Sequence, residues 1–227
     1  RWLLAKYPNK VVRTREPGGT NNPIAEDIRN IILNKLDYKI IPITEAMLFA
    51  ASRAQHIHDF IMPHLNNNEI VLCDRFVHSS LIYQGVARGL GQERVKKLND
   101  QALEGLWPDV TFVLMVRPSV GLKRITKNNQ REFNRLDREE LSLHQKVYRG
   151  YKDMVKKYPK GIIVIDAEKP FDNVVKDVKK AISKKLKVGD TVKMKYGGEA
   201  KVLAEFGSGG QGTVYKGSYN GKEYALK

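Results

Sequence analysis

Four short apolar runs, each followed by a stretch with helical spacing, constrain what this chain can fold into more than any other feature. They are Val11-Val12-Arg13-Thr14, Ile70-Val71-Leu72-Cys73, Val110-Thr111-Phe112-Val113-Leu114-Met115-Val116 and Ile162-Ile163-Val164-Ile165. Short, rich in β-branched residues and nearly without polar interruption, they read as strands buried on both faces of a parallel sheet. Between and beyond them the apolar spacing predicts helices over 23–35, 44–65, 92–106, 119–127, 138–157 and 171–186. The second of these opens on Thr44-Glu45, which predicts a capped start. Strand alternating with helix is the pattern of a doubly wound α/β fold, whose ligands bind beyond the carboxyl ends of its strands. Two polar motifs, Thr14–Thr20 and Asp74–Gln84, directly follow strands and so fall where such a fold keeps its chemistry.

The alternation does not run to the end. All nine prolines lie at or before Pro170, whereas half of the eighteen glycines lie between Gly189 and Gly221. That shift places a boundary near Lys187 and divides the chain into residues 1–186 and 187–227. The opening Arg1-Trp2-Leu3-Leu4-Ala5-Lys6-Tyr7, without an initiator methionine, reads as the tail of a helix, so the sequence is expected to be a fragment. No apolar run approaches membrane-spanning length, and the single cysteine, Cys73, fits a reducing cytoplasm. Lying in an apolar strand, Cys73 reads as a buried, inert thiol. His56 and His58 are two apart and face different ways on a helix, and no cysteine pair supports them, so no histidine metal site is expected. The formal charge of +15 suits an enzyme of polyanionic substrates better than a nucleic-acid binder, because the lysines at 176, 179, 180, 184 and 185 are not interleaved with aromatics.

The motifs themselves carry chemistry. Phe49 and Arg53, four apart, share a helix face: an aromatic ring can stack on a nucleobase, and a guanidinium can donate to a pyrimidine carbonyl. Arg75, after Asp74 at a strand end, has the planar fork that grips a phosphate. Ser80 and Gln84 are again four apart, and Gln84 can donate and accept at once, matching a ligand edge with an acceptor beside a donor. Pro17-Gly18-Gly19 is a turn that permits close approach of a ligand. The polar segment 128–138 contributes Arg131, Arg135 and Arg138.

Thr14-Arg15-Glu16-Pro17-Gly18-Gly19-Thr20, Phe49-Ala50-Ala51-Ser52-Arg53-Ala54-Gln55-His56 and Asp74-Arg75-Phe76-Val77-His78-Ser79-Ser80-Leu81-Ile82-Tyr83-Gln84-Gly85, in that order, resemble bacterial thymidylate kinase. The resemblance covers residues 1–186 and implies an α/β fold of the P-loop nucleoside monophosphate kinase type that phosphorylates dTMP with ATP and Mg²⁺, in the cytoplasm, as a homodimer. By resemblance Phe49 stacks on thymine, Arg53, Ser80 and Gln84 border the base, and Tyr83 packs against the sugar. Arg75 and Arg29 hold the phosphate, Glu16 lies near it, Asp74 orients the magnesium, and Arg131 or Arg135 belongs to a lid over ATP. Met115 departs from the polar residue usual at its strand end. No Gly-x-x-x-x-Gly-Lys-Ser/Thr occurs in the 227 residues, so this polypeptide is expected to hold dTMP without transferring phosphate.

Gly207-Ser208-Gly209-Gly210-Gln211-Gly212-Thr213-Val214, with Tyr224-Ala225-Leu226-Lys227 after an Asn220-Gly221 turn, resembles the opening strands of a Ser/Thr protein kinase. That resemblance implies an antiparallel C-terminal segment in which Gly207, Gly209, Gly212 and Val214 cover ATP phosphates and Lys227 pairs with them. Competing readings are a protein Ser/Thr kinase in the intact gene product and a non-catalytic basic binding module.

Overall fold

The computed structural model describes residues 10–34, 39–67, 69–127, 141–183, 191–193, 199–209, 212–219 and 222–226, with backbone alone in the last four segments. All four expected strands form, as β1 (Val11–Arg15), β2 (Ile70–Asp74), β3 (Thr111–Met115) and β4 (Ile162–Asp166). β1 and β2 pair in parallel with Val11 opposite Ile70 and Arg15 opposite Asp74. Both motif-bearing loops therefore leave the same end of one ribbon, and the Glu16 N–H donates to the Asp74 carbonyl at 3.0 Å, extending the ladder into the first motif. β3 and β4 are also neighbours: Thr111 N–H donates to Gly161 at one end and Ala167 N–H to Met115 at the other.

The strands were expected to be fully buried; most of their residues are half-buried, and Leu114 and Val164 are exposed. Each is hydrogen-bonded in a two-stranded ribbon among the described residues, which leaves one edge and part of a face without a neighbour.

The helices are α1 (Pro23–Asn34), α2 (Pro42–His56), α3 (Met62–Asn66), α4 (Val77–Ser80), α5 (Gln92–Leu103), α6 (Pro118–Lys127), α7 (Leu141–Lys157) and α8 (Phe171–Ser183). Asn22 caps α1 by accepting from the Ala25 N–H at 3.1 Å, with Pro23 in the first turn, where its missing N–H costs nothing. The expected Thr44 cap is not made. α2 starts two residues earlier, at Pro42, with Ile41 as its uncapped flank, because proline is pre-set for the first helical position. Two wide π-helical turns interrupt the regular spacing, Ile57–Ile61 joining α2 to α3 and Leu81–Ala87 continuing α4. Such turns recur at functional sites because the extra residue re-aims side chains.

The described residues fall into two compact units, one made of residues up to Thr111 with Val116–Ile162, the other of Phe112–Met115 with the chain from Ile163. The first contains the motifs and two apolar clusters. Ile57, Ile61, Val77, Leu103 and Leu106 are joined by Phe60, Val71, Phe76 and Trp107; Ile32, Leu33 and Phe49 are joined by Ile28 and Leu48. A fully buried side chain such as Ile32 contributes about 2–3 kcal/mol relative to exposure. In the second unit β5 (Thr191–Lys193), β6 (Glu199–Gly209), β7 (Gly212–Tyr219) and β8 (Lys222–Leu226) form an antiparallel meander in chain order, as expected for this segment. Among the described residues no helix is long and apolar enough to cross a membrane.

Candidate functional site

Arg53 is where the three sequence motifs meet. It projects from α2 and is 2% exposed. Its Nε donates to Glu16 Oε2 at 2.8 Å, and Nη2 lies 2.7 Å from the same oxygen. Nη2 also donates to Ser80 Oγ at 3.2 Å, and Nη1 donates to Asn99 Oδ1 on α5. The Phe76 ring lies 5.4 Å from the guanidinium carbon. A guanidinium has five N–H donors, so among the described residues these four contacts account for all but one, on Nη1. In this buried pair the guanidinium meets one carboxylate oxygen through two of its nitrogens, and the Ser80 hydroxyl and Asn99 amide accept from the others.

Glu16 is held from its other side. His56 Nδ1 lies 3.3 Å from Glu16 Oε1, and His56 Nε2 lies 2.7 Å from Thr14 Oγ1. Gly19 packs on the face of that imidazole, where any side chain would collide with it. Gly18 has φ +90 and its N–H donates to Ser52 Oγ at 3.0 Å, so the glycine turn needs both its left-handed backbone and its lack of side chain. Arg29 donates to the Pro17 carbonyl at 3.1 Å, joining α1 to the same turn.

His56, Glu16 and Cys73 bring ligand atoms within 4.8 Å of one another, contrary to the expectation that no histidine has metal-binding company. The chain brings them together through the β1–β2 register and the helix crossing above it, which histidine spacing does not reveal. Both Glu16 oxygens already serve Arg53 and His56, and the cluster as it stands is a hydrogen-bonded network. Cys73 is half-buried rather than buried, with its thiol donating to the Arg75 carbonyl at 3.0 Å. Burial, then the charge of Glu16, pushes the thiol's pKa well up, which favours the protonated form.

On the neighbouring loop Arg75 has φ +63, an uncommon conformation for a residue with a side chain. Its guanidinium lies over the Tyr83 ring, 5.3 Å from the centroid. Arg75 is exposed as a residue, yet partial desolvation of its guanidinium opposes the charge; Tyr83, by charge and hydrogen bond, then Tyr151 and Asp74 outweigh it, so the pKa is raised. Asp74 is exposed at the end of β2. Ser80 ends α4 while Gln84 lies in the following π turn, so the regular helical turn expected to present them together is widened; both are nonetheless buried. Gln84 Nε2 donates to Glu45 Oε1 at 2.9 Å. Phe49 is buried with Ile32 and Leu33, so most of its ring belongs to the core.

Arg131, Arg135 and Lys227 lie outside the described residues. Gly207 and Gly209 fall in β6, Gly212 and Val214 in β7, with Gly209 opposite Gly212 and Val214 opposite Phe206. Sequence reasoning missed Thr14, Glu45, Ser52, His56, Arg88 and Asn99 as parts of the site. Thr14, Ser52 and His56 lay inside the quoted motifs without being given a role, and Asn99 had a signal of its own, a polar residue on the Val95–Asn99–Leu103 stripe that α5 buries.

The thymidylate kinase family model matches residues 1–178. The thymidylate kinase of Halalkalibacterium halodurans is 49% identical over 184 residues, which cover 81% of this chain and 87% of that protein. That of Clostridium novyi is 49% identical over 181 residues, covering 78% and 87%. The crystal structure of thymidylate kinase from Ehrlichia chaffeensis superposes with a TM-score of 0.64 at 30% identity over 80% of this chain and 85% of that one. That neighbour and the parallel strands give the fold of the P-loop nucleoside monophosphate kinases, as the resemblance of the three motifs implied. With the family model and these relatives spanning most of its length, the chain belongs to the thymidylate kinase family.

Proposed function

We propose that residues 1–186 bind dTMP and belong to an ATP:dTMP phosphotransferase. The observation that carries this reading is the convergence of Glu16, Arg53 and Ser80, from three separate motifs, on one buried guanidinium. In this reading the remaining N–H of Arg53 donates to a pyrimidine carbonyl, Gln84 reads the adjacent edge, and the accessible part of Phe49 stacks on the base. Arg75, held over Tyr83, and Arg29, held on the Pro17 carbonyl, face the phosphate, while Tyr83 crowds the position of a ribose 2′-hydroxyl. Arg131 and Arg135 stabilise charge on the transferring phosphoryl group.

The exposed carboxylate of Asp74 fits Mg²⁺, which prefers hard oxygen donors and keeps several waters. Bound there, the ion would supply positive charge against the phosphate oxygens; Glu16, engaged by Arg53 and His56, is not counted among its ligands. The 227 residues contain no Gly-x-x-x-x-Gly-Lys-Ser/Thr, so we propose that this polypeptide binds dTMP and transfers phosphate only when such a loop is supplied. The test joins a strand and that loop ahead of Arg1 and follows ADP release with dTMP, dUMP, dCMP and AMP. Fastest turnover of dTMP is expected; fastest turnover of another nucleotide removes the assignment.

For residues 187–227 we propose the opening of a Ser/Thr protein kinase small lobe, a separate domain. The antiparallel β6–β7 pair that brings Gly209 opposite Gly212 supports it. Photolabelling of this segment by an ATP analogue is the expected result, and labelling confined to residues 1–186 would remove it.

A further inference from the structure

Glu45 is 1% exposed, one turn ahead of Phe49 on α2. Its Oε1 accepts from Gln84 Nε2 at 2.9 Å and from Arg88 Nε at 3.2 Å, and its Oε2 accepts from Arg88 Nη2 at 3.3 Å. The π turn makes this possible: Arg88 N–H closes a five-residue loop onto the Tyr83 carbonyl, which brings Arg88 back beside Gln84. Gripped through both oxygens by a guanidinium, the Glu45 carboxylate offers only acceptors.

A primary amide has two ends of nearly equal size, and packing alone rarely distinguishes them. Here the partner does. Flipping Gln84 would turn its Oε1 against Glu45 Oε1, acceptor against acceptor, at a side chain only 1% exposed, where water cannot relieve the contact. One Nε2–H serves Glu45. The edge left for a ligand is therefore the other Nε2–H beside Oε1, in a fixed order. Thymine and uracil complement that edge with a C4 carbonyl acceptor and an N3–H donor. Cytosine carries an amino donor at C4 and an acceptor at N3, and so meets like with like at both positions. Only a flipped Gln84 could take it.

We propose that the Glu45–Arg88 pair is a specificity-determining element: it denies Gln84 the flipped orientation and thereby excludes cytosine nucleotides. The inference rests on the reading of Gln84 as a base-contacting residue. Selectivity then arises as much from a forbidden alternative as from the bonds made to the preferred base.

The test compares dTMP with 5-methyl-dCMP, whose bases differ only at the edge in question, by calorimetric binding to the 227-residue chain. The unmodified protein should prefer dTMP by about a hundredfold or more, as sites built on buried polar pairs do. Glu45→Met, which removes the acceptor, should compress that ratio by about tenfold, the worth of one modest hydrogen-bonding preference. A ratio unchanged in Glu45→Met, with both nucleotides weakened alike, would mean a structural role only and overturn the proposal. A ratio near one in the unmodified protein would overturn it together with the base-reading role of Gln84. If Glu45→Met does not fold, NMR of the unmodified protein decides. The Gln84 side-chain amide protons should exchange slowly without ligand, and exchange at the rate of an exposed glutamine overturns the proposal.

Discussion

Arg53 and Glu16, 37 positions apart in sequence, form a buried ion pair with both side chains no more than 3% exposed and 2.7 Å between Nη2 and Oε2. The pair ties α2 to the turn after β1 and makes the candidate site part of the fold. Removing one partner leaves an uncompensated charge in a site closed to water, a loss of about 3–5 kcal/mol. Arg53→Met should therefore lower the thermal midpoint strongly as well as abolish dTMP binding, measured by calorimetry and ligand titration. A variant of normal stability that had merely lost affinity would show that the pair contributes to recognition alone.

Arg75 separates the two roles. Its φ of +63 disfavours any residue with a Cβ, so Arg75→Gly should be more stable than Arg75→Ala by about 1 kcal/mol in chemical denaturation. Both variants should lose affinity for dTMP while binding thymidine as before, because only the phosphate contact is removed. Equal loss for the nucleoside would place Arg75 at the base instead.

His78 gives the stability a pH dependence. Burial, then the positive charge of Arg53, lowers its pKa from 6.5 to about 4; it sits on the edge of Trp107, with Nδ1 3.2 Å from Thr111 Oγ1. Between those values the unfolded chain binds a proton that the folded chain does not, so stability rises with pH through the window and falls as acid is added. The loss should be about 2 kcal/mol, after allowing for partial exposure of the ring. Urea midpoints across this range should show the slope, and His78→Gln should flatten it.

Gly85, in the second π turn, is closely packed against the start of α5. A Cβ there would lie 3.1 Å from Gln92 Cα at the start of α5, so that backbone would have to give by a few tenths of an ångström. Gly85→Ala should cost about 1–3 kcal/mol in denaturant unfolding, despite alanine's higher helix propensity. A neutral or stabilised variant would show that the turn and α5 separate easily.

How much of this was legible in the sequence follows from the range of each signal. The strands and most helices were readable because apolar periodicity is local. The residues of the pocket were readable only as motifs, since nothing in Glu16 or Arg53 alone says that they pair across 37 positions. Glu45 was read as part of a helix start, the usual place for an acidic side chain after threonine. Pro42 moved that start and left Glu45 free to face inward onto Gln84 and Arg88. The π turns were not readable at all, because a single inserted residue breaks the period by which helices are recognised.

We propose above that this chain binds dTMP. A thermal-shift titration of the 227-residue polypeptide with dTMP, dCMP and AMP tests it most directly, because a ligand that binds only the folded state raises the midpoint by mass action. At a hundred times its dissociation constant dTMP should add about 2.7 kcal/mol of stability, with dCMP and AMP far behind at the same concentration. No shift with dTMP, or equal shifts with all three, would contradict the account.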